Sequence, residues 1–206
     1  MRPVLVTAGA TRNPIDAMRF LSANSSGRTS VAVARSLVEL GHAVHLLGSP
    51  EATLRGAGLP SQEFTTTRDL MRRMEEWIRG HSRCAVVHAA AVGDYEAVAE
   101  DAGKIPSNLE TLVIRLKPAP KIADQIEGWA ADCFLVTFKA APPGTGAETL
   151  VETCRAQLSR TRSDLVVGNV LGELSTTTTL VDASGSEAFD DRAAALRAIS
   201  ARVASA

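Results

Sequence analysis

Residues 4–28 read VLVTAGATRNPIDAMRFLSANSSGR, an apolar run that ends in a turn of small residues. A polar insert with two arginines follows, and a second turn, SSG, opens a helical pattern. A buried strand that ends in exposed backbone amides is suited to holding an anion, usually a phosphate. The insert between the turn and the helix is longer than an ordinary dinucleotide-binding loop. We therefore expect a phosphate-binding site at the end of this strand, with a longer insert than ordinary dinucleotide-binding loops have.

Composition limits the classes of function. The chain has 206 residues, which suits one domain over residues 1–206. A net charge of −1 argues against nucleic acid or an anionic membrane as the main partner. Cys84, Cys133 and Cys154 are odd in number and far apart in sequence, so they fit neither a metal spacing nor a disulfide framework. No apolar run approaches the ~18 residues of a membrane span, and we expect a cytoplasmic protein.

Apolar runs of strand length alternate with helical patterns, which predicts a Rossmann-like three-layer α/β fold: a mostly parallel sheet flanked by helices, with a small β-hairpin extension. The predicted strands are Pro3–Ala8, Ala43–Leu47, Gln62–Thr66, Cys84–Ala91, Thr111–Leu116, Phe134–Lys139 and Asp164–Asn169, with Thr177–Val181 and Glu187–Phe189 as the hairpin. The predicted helices are Ser26–Leu40, Pro50–Ala57, one capped by Thr67 or Asp69 that runs to Ile78, one from Pro118 through Ile126, Ala147–Leu158 and Asp191–Ala204. The polar segment Tyr95–Ser107 is predicted to be a mobile loop.

Ligands of open α/β sheets bind beyond the carboxyl ends of the strands. The first such place is residues 9–12, where Gly9 lets a ligand approach the backbone, although an ordinary turn explains the pattern equally well. The second is residues 24–28, where two serines and a helix start offer N–H donors. A plain helix cap is the alternative there, but Arg19 and Arg28 favour phosphate or carboxylate binding.

Two further segments follow later strands. Small residues after His88 leave room for a flat base or a sugar, and Asp94 either accepts from a ribose hydroxyl or cytosine amine or caps a turn. His88 itself is interpreted as a satisfied core histidine. Phe138 and Lys139 end another strand, where the aromatic ring either stacks on a base or packs in the core. Lys104 lies in a polar loop that could close on phosphates.

Taken in order, these motifs resemble phosphopantothenoylcysteine synthetase, the ligase of coenzyme A biosynthesis, over roughly residues 3–183. The motifs that carry the resemblance are Thr7–Arg12 with Pro14–Asp16, Arg19–Ser22 through Ser25–Gly27, Ala89–Val92 with Asp94 and Tyr95, Lys104 with Ile105, Phe138, and Asp164–Val167 with Asn169. The family also occurs fused to a flavin-dependent decarboxylase half. The chain resembles its stand-alone form, so no flavin is expected.

The resemblance implies a two-step ligation. The carboxylate of 4′-phosphopantothenate attacks the α-phosphate of CTP or ATP, and pyrophosphate leaves. The amine of cysteine then displaces the nucleoside monophosphate. It also implies Mg²⁺ bound with the nucleotide, no metal ligands from protein side chains alone, and a homodimer whose site is completed near the interface. Small molecules are thus the expected partners.

Carried over by position, the resemblance gives roles to individual residues. Catalytic roles fall on Asn24 and Lys104. The nucleotide-binding residues are Gly9, Thr11, His88, Ala89, Ala90, Asp94, Lys104 and the strand end Val136–Lys139, which includes Phe138. The residues that bind the substrate or its phosphate are Arg19, Ser25, Ser26, Gly27 and Arg28.

The chain departs from the family pattern at four places: at Ala23, in the residues after Lys104, in the residues after Phe138, and before Asp164. Ala23 stands where the family has an asparagine, and Asn24 follows one residue later. Arg160 and Arg162 stand near the positions of the usual lysines before Asp164. Two alternatives therefore remain: a diverged paralogue that activates another carboxylate, and a nucleotide-binding protein that has lost ligation.

Overall fold

The structure, a computed structural model, describes residues 2–99, 103–173 and 177–206. Its strands are β1 Val4–Ala8, β2 Arg12–Pro14, β3 Phe20–Ser22, β4 Val44–Gly48, β5 Ser61–Glu63, β6 Ala85–His88, β7 Tyr95–Ala97, β8 Leu116–Pro118, β9 Phe134–Ala141, β10 Leu165–Val170, β11 Thr178–Asp182 and β12 Gly185–Phe189. Its helices are α1 Arg28–Glu39, α2 Pro50–Arg55, α3 Thr67–Arg79, the short α4 Ile126–Trp129, α5 Ala147–Thr161 and α6 Arg192–Ser205, with a 3₁₀ turn at Ile122–Asp124.

Eight strands form one sheet in the order β12-β11-β10-β9-β6-β1-β4-β5. The six strands from β10 to β5 are parallel, and β11 and β12 add an antiparallel hairpin at one edge. The predicted Rossmann-like fold and its hairpin extension are confirmed. The chain winds outward from β1 first through β4 and then through β6. Strand order therefore reverses between β1 and β6, where folds of this kind bind ligands.

Helices cover both faces because each strand buries alternate side chains in opposite directions. In β1, Val4 and Val6 enter one core together with apolar residues of α1 and α6. Leu5 enters the other core with Leu70 and Met74 of α3. All five residues of β1 are buried, which is the burial expected of a central parallel strand.

The centre of the chain corrects several predictions. Residues 111–115 form no strand; the strand is β8, which pairs antiparallel with β7 and so gives order to the start of the predicted mobile loop. Residues 100–102 of that loop lie outside the described residues. The predicted helix from Pro118 through Ile126 is a 3₁₀ turn followed by α4. Helix α3 is capped by Thr66, which accepts from the Asp69 N–H at 3.1 Å, and not by Thr67 or Asp69.

The insert after β1 is a small antiparallel hairpin. β2 pairs with β3, so that Arg12 lies opposite Ser22 and Pro14 opposite Phe20. The Arg12 guanidinium lies 4.8 Å from the centre of the Phe20 ring and also forms an ion pair with Glu51 of α2. The long insert is therefore an ordered arm, and it returns the chain to α1 next to the end of β1.

Candidate functional site

A cavity of about 540 Å³ opens at the carboxyl ends of β6, β9 and β10 and beside the start of α1, at the edge of the sheet where the topology predicts a ligand site. Four segments form most of its wall: residues 24–30 at the start of α1, residues 88–94 after β6, residues 120–124 around the 3₁₀ turn, and residues 137–140 of β9. Gln157, Arg160, Asn169, Leu171 and Arg192 complete the lining.

The cavity is positively charged although the whole chain carries −1. Its lining holds five cations, Arg28, Lys121, Lys139, Arg160 and Arg192, against two carboxylates, Asp94 and Asp124, a formal charge of +3. Each carboxylate is paired with a cation of the same wall, Asp94 with Lys121 and Asp124 with Arg160. A cationic cleft of this kind attracts polyanions.

His88 is buried at the end of β6 and bonded to β1. Its Nδ1 lies 3.0 Å from Thr7 Oγ1, which also accepts the Ala90 N–H at 3.0 Å. Burial lowers the pKa of His88 to about 4, so the ring is neutral at physiological pH. The neutral ring and the Thr7 hydroxyl share one hydrogen bond at Nδ1, in which either atom can be the donor, according to the tautomer of the ring. This is the satisfied core histidine that the sequence suggested, at the edge of the cavity.

The first two predicted turns meet through their glycines. Gly9 and Gly27 both have left-handed backbones, with φ of +86° and +71°. A Cβ on Gly9 would lie 2.1 Å from Ser49 Oγ, and one on Gly27 would lie 2.7 Å from the Ala52 Cβ and 3.0 Å from the Gly9 nitrogen. Gly9 is therefore a packing position that lets the start of α2 approach the end of β1, Gly27 does the same for the start of α1, and Gly9 lies behind the cavity wall.

Thr11 is also behind the wall. It is fully buried, and its Oγ1 accepts the Gly93 N–H at 2.9 Å and the Thr67 hydroxyl at 3.1 Å. Asn13 makes a similar link, because its amide accepts the Thr67 N–H and donates to the Tyr95 carbonyl. These contacts hold the wall segment after β6 in place, so Thr11 supports the cavity without lining it.

The end of β9 is fixed by α5. Gln157 donates to Thr137 Oγ1 at 3.0 Å and to the Phe138 carbonyl at 3.2 Å. Phe138 is half-buried: it lines the cavity and also packs against the core beside α1. The position of Phe138 is thus compatible with both predicted roles, stacking on a base and packing in the core. Lys139 follows it on the same wall.

Sequence reasoning missed three polar contributors to the wall. Lys121 arrives through the 3₁₀ turn, Gln157 through α5, and Arg192 through the start of α6. Arg192 donates to Thr29 Oγ1 in the first turn of α1 and lies 3.5 Å from Asn169 Oδ1. No local motif indicates these residues, and Arg192 reaches the cavity because α6 packs beside α1.

Most of the predicted site residues line the cavity: Asn24, Ser25, Ser26, Gly27, Arg28, His88, Ala89, Ala90, Asp94, Phe138 and Lys139. Ala23 does not line it, whereas Asn24 does. Arg19 and Lys104 also lie outside it. Arg19 forms a 2.5 Å ion pair with Asp16 and donates to the Ile105 carbonyl at 3.3 Å. Arg19, on the hairpin arm, therefore lies near the segment that carries Lys104.

The described residues contain neither a cluster of metal-binding side chains nor a membrane-spanning helix. Over residues 2–99, 103–173 and 177–206, no three His, Cys, Asp or Glu side chains come together as a metal site. Within the same ranges, no helix is both long and apolar enough to cross a bilayer.

Comparison with known proteins identifies the family. The model of the DNA/pantothenate metabolism flavoprotein C-terminal domain matches residues 1–193. The chain belongs to this family. The bifunctional coenzyme A biosynthesis protein CoaBC of Thermococcus kodakarensis is 37% identical over 169 residues, which are 82% of this chain and 41% of that protein. CoaBC of Mycobacterium tuberculosis is 31% identical over 181 residues, 84% of this chain and 42% of that protein. The chain thus spans about two fifths of these relatives.

Solved structures share this fold. The Streptococcus pneumoniae protein of that name matches with a TM-score of 0.90 at 23% identity, over 100% of this chain and 99% of that chain. A Cab2 mutant in complex with phosphopantothenate-cysteine matches with a TM-score of 0.82 at 20% identity, over 99% of this chain and 85% of that chain. At these identities the likeness establishes the fold.

Proposed function

We propose that this chain is a nucleotide-dependent acid–amine ligase that joins 4′-phosphopantothenate to cysteine through an acyl-nucleotide intermediate, in the cytoplasm. The observation that carries the proposal is the cavity with a formal charge of +3 at the β1–β6 switch point. Membership of a family found in coenzyme A biosynthesis proteins supports the choice of substrates.

The chemistry asks mainly for positioning and for neutralisation of charge that moves between phosphates. In our proposal the base and ribose lie along residues 88–94 and against Phe138, both at the β6–β9 side of the cavity. The triphosphate then faces Lys121, Lys139 and Arg160. Cations held in fixed positions around the cavity would stabilise the charge that develops on the leaving pyrophosphate.

The acid substrate is assigned to the start of α1. Backbone N–H groups at a helix N-terminus and the serines beside them favour an anion. Asn24, at the cavity wall, is the amide we assign to the acyl-nucleotide, in the role that the family gives to the asparagine one residue earlier. His88, neutral at physiological pH, offers a hydrogen-bonding group at Nε2 without adding charge.

Mg²⁺ fits this cavity only as a companion of the triphosphate. The two carboxylates of the lining are already paired with Lys121 and Arg160, and Mg²⁺ prefers oxygen ligands in octahedral geometry with several waters. Phosphate oxygens and water would therefore supply its ligands. When bound, the ion would polarise the α-phosphate and shield the charge of the triphosphate.

We further propose a homodimer formed through the arm. Large apolar side chains are exposed on the β2–β3 turn, on β7 and after it, and on residues 109–116: Met18, Phe20, Tyr95, Val98, Leu109, Leu112, Val113, Ile114 and Leu116. β7 pairs with β8 and contacts β2, and the Val98 N–H donates to the Arg115 carbonyl, so β2, β7 and β8 are neighbours. Clustered exposed apolar side chains are typical of a protein–protein interface. A second copy on this surface would explain why Arg19 and Lys104 lie outside the cavity of their own chain.

The proposed ligation is tested with purified protein, Mg²⁺, 4′-phosphopantothenate, cysteine and either CTP or ATP. We expect a new product with the mass of the amide, formed together with the nucleoside monophosphate. Asn24→Ala should reduce kcat by more than tenfold, whereas Ser22→Ala, an exposed change two residues away, should not. Saturable nucleotide binding without product would overturn the ligase and favour the binding-only alternative.

Sedimentation equilibrium tests the dimer. The native chain should sediment at twice its monomer mass, and Val113→Glu, which puts a charge on the apolar surface, should sediment as a monomer. A native chain that is monomeric at micromolar concentration would overturn the dimer and leave the ligase proposal standing.

A further inference from the structure

Two of the three cysteines, far apart in sequence, meet in the fold. Cys84 Sγ and Cys133 Sγ lie 3.4 Å apart, within hydrogen-bond distance for sulfur. Cys84 immediately precedes β6 and Cys133 immediately precedes β9, and these strands are neighbours. No local sequence pattern indicates this pair, because three strands, a 3₁₀ turn and α4 lie between the two cysteines.

The backbone around the pair is held in register. Ala85 lies opposite Phe134 in the parallel ladder, and the Phe134 N–H donates to the Cys84 carbonyl at 3.0 Å. Adjacent strands lie about 4.8 Å apart, which places the two Cα atoms within the roughly 4.4–6.8 Å range of disulfide-bonded cysteines. Both side chains face the same core, the one formed with α3.

The two sulfurs differ in access. Cys84 is fully buried, whereas Cys133 is half-buried at the end of an exposed turn. A reagent in solution can therefore reach Cys133 first, and the second thiol waits beside it. Cys154, on α5, is buried against Gly168 of β10 in a different cluster of the core.

We propose that Cys84 and Cys133 form a dithiol modification site that closes to an intramolecular disulfide by exchange with a low-molecular-weight disulfide. Cys133, the accessible sulfur, loses its proton to solvent, attacks one sulfur of glutathione disulfide, forms a mixed disulfide and releases one glutathione thiolate. The hydrogen bond with Cys84 and burial raise the pKa of Cys133, so this first step is slow and becomes faster as the pH rises. The Cys84 thiolate then attacks Cys133 Sγ and releases the second glutathione. Two protein thiols are oxidised to one disulfide, and one glutathione disulfide is reduced to two glutathiones.

The closed bond would join β6 and β9 at their amino ends, opposite the cavity at their carboxyl ends. Such a cross-link restricts the unfolded chain and so raises the unfolding temperature. The site does not depend on the proposed ligation, and its closure would leave the lining residues of the cavity in place.

Trypsin separates the three cysteines for a direct test. Cleavage after Arg83, Lys104, Lys121, Lys139 and Arg155 puts them in peptides 84–104, 122–139 and 140–155. The folded protein is incubated with excess glutathione disulfide, its remaining thiols are alkylated, and the digest is analysed by mass without reductant. We expect peptides 84–104 and 122–139 to appear linked, to separate again with dithiothreitol, and peptide 140–155 to be alkylated.

Three variants make the test decisive. Cys84→Ala should keep one glutathione on Cys133, because the displacing thiol is gone. Cys133→Ser should acquire none, because the remaining thiols are buried. Cys154→Ala should behave like the native chain. Glutathione retained on Cys133 of the native protein, or two unmodified thiols after exposure, would overturn the proposal.

Discussion

The carboxylate of Asp16 accepts the backbone N–H of Ile105 at 3.1 Å, across 89 residues of sequence. The same carboxylate accepts the N–H groups of Met18 and Arg19 and the Arg19 guanidinium. Burial alone would raise the pKa of Asp16, but the three backbone N–H groups and Arg19 together lower it to about 2. One buried carboxylate thus joins the turn of the hairpin arm to the segment that carries Lys104.

Replacing Asp16 with asparagine should release this segment. The amide oxygen accepts fewer of the four donors, and the ion pair with Arg19 is lost. We expect the Ile105 amide to exchange with solvent at least tenfold faster, as measured by hydrogen–deuterium exchange. Asp190→Asn, an exposed change before α6, serves as the control. Unchanged exchange at Ile105 in Asp16→Asn would contradict the positioning role.

Acid stability should reflect His88. Burial holds its pKa near 4, below the ordinary 6.5, so the unfolded chain binds more protons between these values. Stability contributed by the neutral ring is present above pH 6.5 and is lost as the pH falls towards 4, by at most about 3 kcal/mol. Asp16 acts in a lower window: its contribution is present above 3.8 and is lost as the pH falls to about 2.

Urea unfolding of the native chain and of His88→Gln between pH 7 and 4.5 checks this prediction. The burial-lowered pKa of His45 contributes to both proteins alike, so the difference between them isolates His88. The native chain should lose more stability across this range than the variant. Parallel pH profiles would show that His88 is not buried in the neutral form.

The glycine contact behind the cavity predicts a steric effect. Gly27→Ala should destabilise the chain by more than about 2 kcal/mol, because left-handed strain adds to a 2.7 Å approach to Ala52 Cβ. Gly144→Ala has a similar φ of +78° but open space, so only the strain of about 1 kcal/mol remains. Adding Ala52→Gly to Gly27→Ala should restore part of the loss; equal effects of both single variants would exclude the steric account.

Two arginines of α5 form a matched pair for the charge of the cavity. Arg160 lines it, whereas Arg155 on the same helix does not. Arg160→Gln should raise the Kd for CTP about tenfold, which is about 1.4 kcal/mol, and affect CMP less, because fewer phosphates are lost as partners. Arg155→Gln should change neither value in isothermal titration. Equal effects of the two substitutions would contradict a local phosphate contact.

Periodicity and burial predicted the parallel sheet well. The central strands β1, β4, β6, β9 and β10 are each rich in apolar residues, and such apolar segments of strand length are distinctive. The hairpin arm was missed because β2 and β3 have three residues each and one contains Pro14, so alternation is too short to detect. Leu112 and Ile114 stand at alternate positions, as on one face of a half-buried strand, yet both side chains are exposed.

The candidate site was predictable where it is continuous in sequence. The turn before α1 and the segment after β6 carry their chemistry in neighbouring residues. Lys121, Gln157 and Arg192 reach the cavity only through the packing of separate elements, which no local pattern encodes. Gly9 and Thr11 have the residue types of a ligand loop, but contacts with Ser49 and Gly93 account for them instead.

If the cationic cavity activates the acid as an acyl-nucleotide, pyrophosphate must be released even when cysteine is absent. Purified protein is given Mg²⁺ and CTP or ATP, with and without 4′-phosphopantothenate, and pyrophosphate is measured over a single turnover. We predict a burst of about one pyrophosphate per site that requires 4′-phosphopantothenate. The absence of a burst with either nucleotide, in protein that binds that nucleotide, would contradict the assigned reaction.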